Sequence, residues 1–235
     1  MYIFFLLDFG QRVNGSINNI AKNPISLVKV LAGLTCYTEC QMIVYTKRLD
    51  SALRKTAWAH EKTGQHRKGT DIPYIIHPVG VMMIASNVSD DEDVLIACLL
   101  HDVLEDVDSG IYDEEQMRQD FGNRVVQIVK DVSKDDTITD WHDSARAYLH
   151  HLEFKASDEA VVVSTSDKIH NLISILIDYS EHGERLWDRF KTKNSADQLW
   201  WYESILAIIK KRKAPDKLVA QLTEQVNVLA KRLMK

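Results

Sequence analysis

From residue 46 onward, apolar positions recur at three- and four-residue intervals between short polar or glycine-containing stretches. That is the period of helices that bury one face. In TKRLDSALRKTAWAHEKTG, Leu49, Leu53, Ala57 and Trp58 form such a stripe, and Gly64 supplies a C-terminal cap. YIIHPVGVMMIASNV predicts an apolar helix starting near Pro78, because proline is tolerated in a first turn. SDDEDVLIACLLHDVLEDV opens on capping and acidic residues that favour a helix N-terminus. YDEEQMRQDFGNRVVQIVKDVS reads as two helices interrupted near Gly122. DSARAYLHHLEFK, AVVVSTSDKIHNLISILIDYS, a short segment around Trp187 and Phe190, and long helices from Asp197 complete the chain. The run at 161–163 is β-branched, yet its spacing continues through Ile169, Leu172, Ile173 and Leu176, which favours helix over strand. With 4 prolines and 9 glycines the chain is poor in turn residues for an all-β fold. The pattern predicts an all-α, compact multi-helix bundle.

Residues 1–41 carry few charges, an NGS turn signal and weak periodicity, so they read as an accessory extension. Residues 42–235 read as one domain, with Met42 a natural start. MYIFFLLDFG has no basic flank, breaks at Asp8, and is far short of the ~20 residues that span a bilayer, so no membrane association is expected. Net charge is −5 and the longest basic run is KKRK, which argues against a nucleic-acid partner. Cys36, Cys40 and Cys98 are too few for a disulfide framework and fit a reducing, cytoplasmic setting. The aromatics Trp200, Trp201 and Tyr202 either form an oligomer interface or tuck against the domain.

Candidate chemistry concentrates in LLHDVLEDVD. With about 100° per residue, Glu105, Asp102 and Asp106 fall about 40°, 100° and 140° from His101 on a regular helix. Leu99, Leu100, Val103 and Leu104 take the complementary arc. An ordinary wet helix face would look the same, but the preceding LIACLL is apolar all round and places this helix in the interior. Carboxylates buried side by side are costly unless a cation holds them, and an adjacent His–Asp pair offers a divalent ion one nitrogen and one oxygen. His77 in YIIHP and Asp167 in VVVSTSDKIHNL are further polar residues set in apolar segments, giving the order H, HD, D.

That order resembles the HD superfamily of metal-dependent phosphohydrolases. HEKTGQHRKGTDIPYIIHP, ACLLHDVLEDV, FGNRVVQIVKDVSK and SDKIHNL together are similar to the hydrolase domain of the RelA/SpoT homologue family. No synthetase or regulatory region is attached, so the likeness is to the stand-alone small alarmone hydrolases, from about residue 45 to about residue 210. DYSEHGERLWDRF and LWWYESIL resemble the C-terminal part of single-domain bacterial members. The resemblance implies an HD-type domain over 42–235 that holds a metal, usually Mn²⁺, through His77, His101, Asp102 and Asp167. It makes Glu105 and Asp106 the pair that orients and activates water. It lines the nucleotide pocket with Arg67, Lys68 and Asn171, with Arg146 from the helix before SDKIHN. The implied reaction is hydrolysis of (p)ppGpp to GDP or GTP plus pyrophosphate. The Arg67–His77 loop is one residue longer than the common family spacing, Val107 replaces a frequent Thr, and Lys168 stands where Arg is frequent. Adenine alarmones, the 2′-phosphate of NADPH, and a non-catalytic nucleotide sensor are the alternatives on the same scaffold.

Overall fold

The computed structural model describes residues 43–234, and the expectations for 1–41, Cys36 and Cys40 lie outside them. Helices α1 (Lys47–Lys62), α2 (Ile76–Ala85), α3 (Glu92–Leu100) and α4 (Val103–Asp106) lead into α5 (Glu114–Phe121) and α6 (Asn123–Val132). Then come α7 (Trp141–Phe154), α8 (Asp158–His182), a 3-10 turn (Gly183–Arg189), α9 (Ser195–Lys211) and α10 (Asp216–Leu233). No strand occurs among the described residues, in keeping with an all-α reading.

Helix starts follow the side chains that satisfy orphan amides. Thr46, Asp91, Asp113, Asp140, Ser157 and Asn194 each accept from a main-chain N–H in the first turn of the helix they precede. α1 ends in a Schellman pair, with Gly64 N–H on Glu61 O (3.0 Å) and Gln65 N–H on His60 O (3.1 Å). That closure needs a left-handed residue, which Gly64 provides at φ +65°.

Two helices organise the core. α3 buries every residue from Val94 to Leu100, and α8 packs against α2, α3, α6, α9, α10 and the 3-10 turn. Residues 158–189 are long and apolar enough to cross a membrane, and 67% of their most apolar window is buried inside the domain.

Three local expectations change. The buried face of α1 is Leu49, Ala52, Thr56, Ala59 and His60, whereas Trp58 is 43% exposed. Small residues win that face because α1 lies close to α3, with Thr56 Oγ1 donating to Leu99 O at 3.0 Å. Trp201 and Tyr202 are buried and Trp200 packs against the core, so these aromatics tuck into the domain. Trp141 closes over Trp200 and Trp201 with ring centroids 6.0 and 6.4 Å away. Finally, no single helix runs through LLHDVLED. α3 stops at Leu100, His101 and Asp102 form a turn, and α4 restarts at Val103.

Candidate metal centre and nucleotide cavity

The break at 101–102 creates the site. On a regular helix adjacent side chains diverge by about 100° and do not meet. Here Asp102 sits at φ −95°, ψ −5°, displaced from ideal helical values, and its Oδ2 lies 3.0 Å from His101 Nε2. The His101 Nδ1–H donates to Cys98 O at 2.8 Å, a carbonyl in the last turn of α3. This fixes the ring orientation and turns Nε2 toward Asp102.

His77, from the first turn of α2, brings its Nε2 to the same point: 3.2 Å from His101 Nε2, 3.3 Å from Asp102 Oδ2 and 3.1 Å from Asp167 Oδ1. Asp167, from α8, stands 3.7 Å from His101 Nε2. Bonds of about 2.1 Å at right angles separate neighbouring ligand atoms by about 3.0 Å, so these spacings fit the edges of one coordination shell. Two imidazole nitrogens face each other between two carboxylates, an arrangement that a shared cation satisfies. The N₂O₂ donor set suits a divalent transition ion.

Electrostatics point the same way. Burial alone would raise the Asp102 and Asp167 pKa values, but His101 and His77 beside Asp102, and Lys168 with both imidazoles beside Asp167, hold each well below the usual carboxylate range. Burial would lower His101, yet the two carboxylates hold it well above its usual value. The pocket is thus built for positive charge.

Supporting side chains orient these donors. Tyr74 donates its hydroxyl to Asp102 Oδ2 (2.5 Å), Asn171 Nδ2 donates to Asp167 Oδ1 (2.5 Å) and the Lys168 ammonium to Asp167 Oδ2. His77 Nδ1 meets His170 Nδ1 at 3.0 Å. Burial, His77 and Arg67 push His170 down to about 4, so it stays neutral and accepts from the His77 Nδ1–H. His170 lies where a Cβ on residue 80 would fall, 2.1 Å from His170 Cδ2, so Gly80 permits the close approach of α2 and α8.

The donors open into a cavity of about 990 Å³. Glu105 and Asp106 line it one turn past the HD pair. Glu105 Oε2 accepts from Lys134 N–H (3.2 Å), and Asp106 Oδ2 accepts from Gln65 Nε2 (2.7 Å). Gln65 Oε1 is in turn held by His60 Nδ1 at 2.6 Å, which settles the amide orientation. Burial first, then Asp102, raises both carboxyl pKa values. Arg67 lies over the Tyr74 ring (5.6 Å) and donates to Asn171 Oδ1 (2.7 Å). Lys68 lies over Phe190 (5.2 Å). Its loop rests on the 3-10 turn, where a Cβ on Gly69 (φ +72°) would meet Arg189 Cδ at 2.7 Å. Arg146 is not brought to the cavity. Its side chain is exposed and pairs with Asp143 at 2.8 Å, outside the cavity lining. Tyr74, Gln65, His60 and Lys134 join the site without having been singled out from the sequence; their only signal is placement in the polar stretches that precede His77 and follow α6.

The HD domain family profile matches residues 52–188. The guanosine-3′,5′-bis(diphosphate) 3′-pyrophosphohydrolase of Aquifex aeolicus is 30% identical over 143 residues, which is 60% of this chain and 20% of that protein. The bifunctional (p)ppGpp synthase/hydrolase SpoT of Escherichia coli is 34% identical, over 54% of this chain and 18% of its own length. The 3′-pyrophosphohydrolase MESH1 of Danio rerio is 34% identical over 46% of this chain and 58% of its own. The chain thus spans about a fifth of the long bacterial relatives it matches. Among solved structures, a metazoan SpoT orthologue described as hydrolysing ppGpp superposes with a TM-score of 0.65 at 24% identity, covering 79% of this chain and 97% of that one. The Listeria monocytogenes protein lmo0812 superposes with a TM-score of 0.58 at 23% identity, over 68% and 99% of the two chains.

Proposed function

The chain belongs to the HD domain family, and from that premise we propose that it hydrolyses the 3′-pyrophosphate of guanosine alarmones, converting (p)ppGpp to GDP or GTP plus pyrophosphate. One observation carries the reading: His77, His101 and Asp102 cluster as a metal-binding group, with Asp167 3.1 Å from His77 and 3.7 Å from His101, beside a nucleotide-sized cavity that also holds Glu105 and Asp106. The substrate class rests on the names of the relatives.

His77, His101, Asp102 and Asp167 would hold the cation, Mn²⁺ in this proposal, which when bound supplies Lewis acidity toward water and the phosphoryl oxygens. Glu105 and Asp106 place the attacking water and take its proton. Their raised pKa values move them toward the range in which a carboxylate is an effective base near neutral pH. Arg67 and Lys68 contribute charge-assisted hydrogen bonds to the nucleotide's phosphates, supplying locally the positive field that a chain of net charge −5 lacks overall. Asn171 holds Arg67 and Asp167 at once, so it ties the nucleotide pocket to the metal donors. We infer a small-molecule partner in a reducing cytoplasm, in keeping with the free, buried Cys98 thiol.

The test is pyrophosphate release from ppGpp by purified protein with Mn²⁺, abolished in Asp102→Ala. A wild type that binds metal yet leaves ppGpp intact, while turning over ppApp or NADPH in the same panel, refutes the guanosine assignment.

A further inference from the structure

Six lysine and arginine side chains line the cavity, and three of them already have a partner. Lys168 is paired with Asp167, Arg189 with Asp178 at 3.1 Å, and Arg67 donates to Asn171 at 2.7 Å. Lys134 differs. Its ammonium lines the cavity, yet among the described residues it makes no hydrogen bond or ion pair, and it rests only over the Trp201 ring, 5.4 Å from the centroid. Lys168 lies over the same ring at 5.6 Å.

The main chain of Lys134 is already committed to the site, since its N–H holds Glu105 Oε2 at 3.2 Å. A single residue therefore fixes the water-handling carboxylate with its backbone and leaves its positive charge open in the same cavity. The charged groups facing that ammonium are Lys168 and Asp167 from α8, Asp102 from the turn after α3, and Glu105 from α4. Burial and Lys168 push its pKa down, and the carboxylates pull it partly back. Enclosing a cation without a counter-ion is costly, and an arriving anion relieves that cost.

Building on the phosphohydrolase reading, we propose that the Lys134 ammonium binds a phosphate oxygen of the nucleotide at the metal end of the cavity, forming its ion pair only when substrate is present. Trp201 keeps the side chain extended toward that oxygen. Because the same residue holds Glu105, the phosphate and the water-handling carboxylate are registered on one point of the chain. Asp135, next in sequence, does not compete: it accepts instead from the N–H and hydroxyl of Thr137, at 2.9 and 2.6 Å.

The experiment compares wild type, Lys134→Met and Lys134→Arg, each loaded with Mn²⁺. Metal content is measured by elemental analysis, inorganic pyrophosphate binding by calorimetry, and kcat and KM with ppGpp. Lys134→Met keeps the backbone N–H, so metal content and melting temperature stay at the wild-type level. Its pyrophosphate affinity and kcat/KM fall about 10- to 100-fold, the range for a hydrogen bond to a charged group. Lys134→Arg recovers most of that loss. Pyrophosphate binding by Lys134→Met within about twofold of wild type overturns the proposal, as does equal loss of metal or stability in both variants, which would assign the residue a structural role. If wild type leaves ppGpp intact while Lys134→Met still weakens pyrophosphate, the substrate reading falls and the anion site stands.

Discussion

Gln65→Glu tests the handling of water most directly. Gln65 Nε2 donates to Asp106 Oδ2 at 2.7 Å, and His60 Nδ1 on Gln65 Oε1 prevents the amide from turning over. The substitution removes this donor and sets a second carboxylate against Asp106. Two like charges about 4 Å apart near a protein surface repel by about 4 kcal/mol, which corresponds to about three pKa units. Asp106 opens to the cavity, and solvent screening there reduces the shift to about one or two units. Asp106 takes a proton only when ionised, and its pKa already lies above the usual range through burial and Asp102. A second carboxylate holds the proton on to still higher pH. The rate is therefore lost below the raised pKa and recovers above it. In a profile of kcat/KM against pH, which reports groups on the free enzyme, the acid limb of Gln65→Glu moves to higher pH by about one to two units, the part of the repulsion left after screening. Gln65→Leu, which removes the donor without adding charge, moves it less. An acid limb that stays in place in Gln65→Glu, with metal content unchanged, refutes the role given to Asp106.

Three further substitutions test the frame around the donors. Gly80→Ala drives a methyl to within 2.1 Å of His170 Cδ2; overpacking of this kind costs about 1–3 kcal/mol, seen as a melting temperature lower by about 2–4 °C per kcal/mol, together with weaker metal binding as His77 loses its partner. Tyr74→Phe removes the 2.5 Å hydrogen bond to Asp102 and should weaken metal binding about 10- to 100-fold in a competition titration while the helical circular dichroism spectrum is unchanged; unaltered affinity would show that Tyr74 does not orient Asp102. Arg146→Ala removes only an exposed pair with Asp143, so kcat and KM stay within about twofold, and a large rise in KM would return Arg146 to the nucleotide pocket.

The helices and the proposed donors were readable in the sequence for a common reason: each is a local contrast. His77, His101, Asp102 and Asp167 are polar residues inside apolar runs, and apolar periodicity itself marks the helices. The break at 101–102 was not readable, because no glycine or proline marks it and both residues fit an uninterrupted amphipathic pattern. A regular helix sets the two side chains about 100° apart, while the turn brings His101 Nε2 and Asp102 Oδ2 to 3.0 Å. The buried face of α1 was misjudged because Trp58 outweighs Ala52, Thr56 and Ala59 in any hydrophobic stripe, whereas close packing on α3 selects for small volume.

A lysine's availability is harder still to read, because it depends on which anions the fold assigns elsewhere. Lys134 precedes two aspartates in SKDD, and Lys168 follows one in SDKI. By sequence the first has the richer choice of counter-ions, but the fold reverses this. Asp167 turns inward with Lys168 and shares its charge, so Lys168 keeps the proposed donor ionised. Asp135 turns back on Thr137, and Lys134 is left with the Trp201 ring and an open cavity. Two similar dipeptide settings thus yield one cation already neutralised by a donor carboxylate and one available to an incoming phosphate.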